Sequence, residues 1–274
     1  MRPAPACGSG FRGDSGRGNV GIMLQLPPLY QDLTFLSPLS DERAAALARF
    51  IADAQPATVL DIGCGWGELL MQTMARTPQA MGLGVDLEPE RLVEARRRAA
   101  TRGLEGRVSF EARDARHLEG TFDAVICIGA SQVWGLPVEA AQPLDYAAAL
   151  AALRGLMRPG GRLVYGEAMW SSAPTPAATS VLSGRDDEYL QVEGMVCVAQ
   201  AHGFTVTAAQ VASLEEWDDF EAGFVGRLER WLQTHPADHP EAVAVREQLQ
   251  DQREGYLKGY RGVLGMAYLT LVAV

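Results

Sequence analysis

Asp61, Asp86 and Asp114, with glycines at 63, 65 and 67, are the residues whose type and spacing could do chemistry. Asp61 lies in Thr58–Leu70, TVLDIGCGWGELL, where Val59, Leu60 and Ile62 make a short apolar run of the kind that fills a buried strand. The glycines that follow let a backbone approach a ligand closely, and the helix opening at Glu68 turns free N–H groups toward the same place. Acids at such a turn would repel a pyrophosphate but suit a ligand bearing ammonium and sulfonium charges. A dinucleotide fingerprint wants G-x-G-x-x-G; here the third glycine comes one place early, because position 68 is Glu.

The elements that must hold these acids can be read in order. Ser40-Asp41-Glu42 caps a helix with Leu47, Phe50 and Ile51 on its apolar face. It is expected against the sheet edge or over the ligand mouth. Leu69 to Arg76 is helical and stopped by Pro78. Met81–Leu87 is a second strand with Asp86 near its end, 25 residues beyond Asp61. Pro89 starts a helix over Glu90–Arg102, whose arginines 91, 96, 97, 98 and 102 are expected on a solvated face. Arg107–Ala112 and Phe122–Ile128 read as the third and fourth strands. The helix Ala147–Met157 is closed by Arg158-Pro159-Gly160-Gly161, and Arg162–Ala168 is the fifth strand. Trp170–Ser183 reads as a loop, Asp186–His202 as a helix, Phe204–Val211 as a strand and Gly265–Val274 as the last strand. The alternation predicts an α/β fold, a doubly wound, mostly parallel seven-stranded sheet. Between the last two strands, 214–261 is mostly helical, broken at Pro236 and Pro240, and too long for a plain turn, which predicts a cap.

Composition bounds the function. The 274 residues carry a formal charge of −10 and a single lysine, Lys258, which speaks against a nucleic-acid partner. No apolar run is long enough for a membrane helix. Cys7, Cys64, Cys127 and Cys197 lack a C-x-x-C spacing and read as reduced thiols of a cytoplasmic protein. His235 and His239 are split by prolines and lack a complete ligand set, so no metal is expected. Residues 1–22, with six glycines, read as a disordered tail, with Met23 as an alternative start, and 23–274 as the domain.

The set as a whole, an acid-ended first strand with D-x-G-x-G-x-G, a second acid-ended strand, Asp114-Ala115 after the third and R-P-G-G before the fifth, resembles the class I S-adenosylmethionine (SAM)-dependent methyltransferases from about residue 40 to 274. The resemblance implies a Rossmann-like sheet whose last strand inserts antiparallel beside the fifth. It implies that Asp61 faces the methionine ammonium, that Gly63, Cys64, Gly65 and Gly67 bring backbone to the methionine and ribose, and that Asp86 takes the ribose hydroxyls. It further implies Leu87 against adenine, Asp114 on the adenine amino group with Ala115 supplying an N–H, and Ile128 and Gly129 at the sulfonium end. Acceptor residues are sought where strands four and five end: Ser131, Gln132, Trp134 and Trp170, with Trp217 from the cap and Glu167 as the base to test. Each aromatic could equally be core, and Glu167 equally a structural hydrogen-bonding group. The fourth strand ends in I-G-A-S, unlike the D/N-P-P-Y/F type motif of base amino-group methylation, which leaves a small-molecule acceptor. The alternatives are an NAD-dependent oxidoreductase, disfavoured by the glycine spacing and Asp61, and a SAM-binding protein without transferase activity. Oligomeric state is not legible.

Overall fold

The computed structural model describes residues 25–135 and 142–274. The tail expected at 1–22, and Met23, lie outside the described residues. Seven strands form one sheet: β1 Thr58–Ile62, β2 Met81–Asp86, β3 Val108–Ala112, β4 Phe122–Ile128, β5 Met157–Trp170, β6 Phe204–Val211 and β7 Leu264–Ala273. Their order is β3-β2-β1-β4-β5-β7-β6. The first five pair in parallel, while β7 runs antiparallel between β5 and β6. The sheet therefore reverses its order between β1 and β4, which is where α/β folds open a crevice at the carboxyl ends of their strands.

Side-chain alternation sends the two faces of the sheet into two cores. On one face Val59, Phe110, Ile126 and Val164 meet α1 (Asp41–Ala52), α2 (Glu68–Arg76) and α3 (Pro89–Thr101). On the other, Leu60, Ile62, Val125 and Leu163 meet α4 (Tyr146–Gly155) and α6 (Val192–Ala201). Asp61 shares the first face with Val59 and lies beside Gly84 of β2 and Ile126 of β4. A short helix, α5 (Pro176–Val181), interrupts the expected loop after β5, started by Thr175, whose hydroxyl accepts from the Ala178 amide.

Two expectations need correction. The helix expected from Asp186 begins only at Val192, because the preceding polar groups are used elsewhere. The carbonyl of Glu188 accepts from the Leu144 amide, that of Leu190 from the Trp170 amide, and that of Asp186 from the Trp170 indole. The arginines of α3 are also not all solvated. Arg98 is buried enough to bridge Glu94 and Glu68 while donating to the Tyr30 carbonyl, whereas Arg96 stays exposed although it donates to the Phe110 carbonyl.

Between β6 and β7 the chain makes α7 (Leu214–Thr234), α8 (Ala242–Glu254) and a π-helical turn, Gly255–Tyr260. Ser213 and Glu216 form a reciprocal capping box that starts α7. A separate small core of Leu228, Trp231, Ala242, Val245 and Leu249 joins α7 to α8. His235 stacks on Trp231, with ring centroids 3.9 Å apart, and His239 meets the same indole edge-on. Among the described residues no group of three potential ligands is placed to hold a metal ion, and no helix is long and apolar enough to cross a membrane.

Candidate functional site

The glycine loop after β1 is built from the backbone outward. Gly63, Gly65 and Gly67 all have positive φ, between 54° and 71°. A side chain at Gly63 would put its Cβ 2.8 Å from the Ala130 Cβ, and one at Gly67 would strike the Phe110 ring at 2.5 Å. At Gly65 nothing lies within 4 Å, so this part of the loop faces open space. The amides of Gly63 and Cys64 donate to the Val85 carbonyl at 2.9 and 3.0 Å, which ties the loop to β2. Asp86 completes the tie: its Oδ2 accepts from the Gly65 amide at 2.8 Å and its Oδ1 from the Glu88 amide at 2.9 Å. An ionised carboxylate offers about four lone-pair sites, so Asp86 can still accept from a ligand.

This loop forms one wall of a cavity of about 60 Å3 whose lining includes Asp61, Gly63, Cys64, Gly65, Trp66 and Ile128. The opposite wall is Phe35, Leu36, Ser37 and Leu39, from the strap that precedes α1. Long-range bonds hold that strap in place: the Trp66 indole donates to the Thr34 carbonyl at 2.7 Å, and the Tyr268 hydroxyl to the Pro38 carbonyl at 2.8 Å. Nothing local in the strap's sequence signals this; a tryptophan inside a glycine loop is the one hint.

Asp61 is the unusual group. It is 5% exposed, and burial pushes its carboxyl well above the usual carboxylate range, with nearby Asp86 adding to the effect. Among the described residues no cation pairs with it. A cationic ligand group placed here would relieve that cost. Glu68, expected to add negative charge, behaves differently, and this is a further correction: Arg98 of α3 and Arg102, just past its end, pair with it at 3.1 and 2.8 Å and neutralise it. Cys64 is a half-buried thiol raised well above its ordinary value by desolvation and by the two acids.

The remaining sequence-predicted residues fall around this cavity unevenly. Leu87 is 51% exposed beside Asp86. Asp114 caps the short turn beginning at Ala115 and is held by Arg116, whose guanidinium keeps its carboxyl below the usual range. Gly129 turns the chain after β4 with φ 63°, its amide bonded to the Gly166 carbonyl. Glu167 is buried: Oε2 accepts from the Ser131 amide at 3.0 Å and Oε1 from the Ala168 amide at 2.9 Å, and burial raises its pKa. The Ser131 hydroxyl meets that of Tyr165 at 2.6 Å. Trp134 is half-buried against the α4 side. Trp170 and Trp217 lie in the core, the first bonded to the Asp186 carbonyl, the second packed edge-on to Phe220 and Tyr260.

Comparison with known proteins agrees with this geometry. Residues 59–161 match the family described as a methyltransferase domain. YjhP of Escherichia coli (strain K12) is 29% identical over 241 residues, covering 86% of this chain and 93% of that protein. A demethylmenaquinone methyltransferase of Deinococcus radiodurans is 30% identical over 161 residues, 57% of this chain and 62% of that enzyme. The crystal structure of a SAM-dependent methyltransferase from Thiobacillus denitrificans, in complex with S-adenosyl-L-homocysteine (SAH), is 27% identical with a TM-score of 0.76, over 90% of this chain and 96% of that one. A domain match that opens in β1 and ends in β5, together with an SAH-bound neighbour spanning nearly the whole fold, identifies a SAM-dependent methyltransferase with the class I methyltransferase fold.

Proposed function

We propose that this methyltransferase acts on a small-molecule acceptor in the cytoplasm, with SAM lying across the glycine loop. The observation that carries the placement of SAM is Asp61: a buried, cation-free carboxylate in the cavity wall, beside a loop whose backbone is open at Gly65. In this reading the methionine end enters the cavity, with its ammonium at Asp61. The ribose lies over Asp86 and the adenine over Leu87, toward Asp114 and Ala115; Ile128 and Gly129 border the sulfonium. SAM supplies an electrophilic methyl group: the S–CH3 bond breaks with its electron pair left on sulfur, and the acceptor forms the new bond and loses a proton.

The chain's own part is positioning and exclusion of water. The strap closes over the methionine side. Residues 214–261 form a helical cap toward the acceptor side, and Ser131 and Trp134 contribute to the acceptor wall. Glu167 stays the carboxylate to test as a base. Its two backbone hydrogen bonds support equally a role in holding the turn after β4. The Deinococcus enzyme, named for a small quinone-type acceptor, supports the substrate class, as does the net charge of −10, which disfavours nucleic acid.

The test is transfer of a labelled methyl group from SAM to a panel of quinols, phenols, amines and organic acids. Calorimetric titrations with SAM, SAH and NAD run in parallel. Label in a small product, with SAM and SAH binding and NAD silent, supports the reading. Label only in protein or nucleic acid would overturn it.

A further inference from the structure

One carboxylate joins the cofactor wall to the helical segment between β6 and β7. Ser40 follows directly on Leu39, the last strap residue of the cavity lining. Its amide and its hydroxyl both donate to Glu216 Oε1, at 3.0 and 2.7 Å. Arg43, one turn into α1, donates to the same carboxylate through Nε at 2.8 Å and Nη2 at 2.7 Å. From the other side the Ser213 amide donates to Oε2 at 2.8 Å, closing the capping box of α7. Five donors thus converge on a carboxylate that is 8% exposed, and it joins the starts of two helices through residues, Ser40 and Glu216, that are 176 apart in sequence.

This is more than α7 requires. A capping box needs only the Ser213–Glu216 exchange. The additional bonds to Ser40 and Arg43 serve α1 and the strap that precedes it. Arg43 also reaches the Gln210 side chain and the Val211 carbonyl, so the end of β6 enters the same junction. The Leu33 side chain lies where a Cβ on Gly223 of α7 would fall, so strap and α7 also pack directly, with a glycine making the room.

We propose that Glu216 is a positioning residue that couples cofactor binding to the placement of α7, so that filling the cavity under the strap orders the cap before the acceptor enters. This rests on the reading of the cavity as the SAM site. A ligand contacting Phe35, Leu36 and Leu39 favours one position of the strap, and Glu216 transmits that preference to the first turns of α7. The linkage is reciprocal: loosening the junction weakens the ligand.

Hydrogen exchange with and without SAH tests this on the full chain, together with SAH titration, in the wild type, in Glu216→Gln and in the milder Ser40→Ala. In the wild type SAH slows exchange across Leu214–Phe224. In Glu216→Gln that protection is lost and SAH binds about tenfold more weakly; Ser40→Ala shifts both in the same direction by less. A role confined to stability would lower the melting temperature while leaving the SAH-dependent protection of α7 intact. Intact protection in either folded variant, or SAH affinity within twofold of wild type in both, overturns the proposal. Absence of SAH binding to the wild type would instead remove the cofactor-site reading on which it rests.

Discussion

The Gly65 amide donates to Asp86 Oδ2 at 2.8 Å, so the acid ending β2 braces the loop that follows β1. Asp86 therefore has two tasks in the proposed site: it shapes the loop from behind and offers its remaining lone pairs to the ribose hydroxyls. Asp86→Ala is expected to abolish measurable SAM binding. Because the Gly65 and Glu88 amides also lose their acceptor, amide exchange at 63–67 should rise even in the ligand-free protein. Calorimetry and hydrogen exchange on the same sample check both. Wild-type SAM affinity would refute the assignment.

The three loop glycines should separate by what a methyl group meets. Gly63→Ala and Gly67→Ala force a Cβ into Ala130 or Phe110 at a backbone angle that L-residues rarely adopt, and should cost about 2 kcal/mol or more of stability. Gly65→Ala carries only the left-handed backbone penalty, about 1 kcal/mol, because its Cβ points into open space. That space is where the proposed function puts the cofactor. Gly65→Ala is therefore expected to fold nearly as well as wild type while losing at least about tenfold in SAM affinity. Thermal melts beside titrations distinguish the two classes.

Asp61 sets up a conflict between stability and binding. Its folded-state pKa lies above its unfolded value, because burial and Asp86 disfavour the charge. As pH rises from the ordinary carboxylate value through the raised one, the unfolded chain releases a proton that the folded chain retains. Stability from this group therefore falls with rising pH, and the penalty is full above the folded pKa. Asp61→Asn should remove it, raising the stability of the ligand-free protein by roughly 1–3 kcal/mol at neutral pH. The same change should weaken SAM and SAH alike, since both carry the ammonium. Denaturant melts at several pH values, paired with both titrations, test the sign; a less stable Asp61→Asn protein at neutral pH would contradict it.

Much of this architecture was legible because its signals are local. β1, β2 and β4 are short, largely apolar runs that end on Asp86 or run into Gly63 and Gly129, and the antiparallel β7 followed from the family resemblance once five parallel strands were in order. The acids at strand ends could be read for the same reason. What stayed hidden depends on distant partners. The strap at 33–39 has no period, and its place over the cavity is fixed by Trp66 and Tyr268 from elsewhere in the chain. Arg98 looks like any surface arginine of α3 until Glu68, thirty residues earlier, is folded against it. The helix starts only at Val192 because Asp186, Glu188 and Leu190 give their carbonyls to β5 and to the segment before α4, an exchange that propensity does not encode.

Glu216 provides the acid-side counterpart to Asp61. Burial alone would raise its pKa, but Arg43 and the donors from Ser213 and Ser40 outweigh it and bring it from 4.5 down to about 2. Here the folded value lies below the unfolded one. The stabilisation is fully present above pH 4.5 and is lost as pH falls through about 2, because the unfolded chain takes up the proton first. With Arg43 partly screened by solvent, the contribution is about 2 kcal/mol. Glu216→Gln should therefore be less stable than wild type by about that amount at neutral pH, with the difference shrinking as pH falls below 4.5 toward 2. Urea melts from pH 7 downward measure this directly. A difference that stays constant with pH would mean that the Gln variant loses packing or hydrogen-bond geometry and not the charge, and the junction between α1 and α7 would then owe nothing to ionisation.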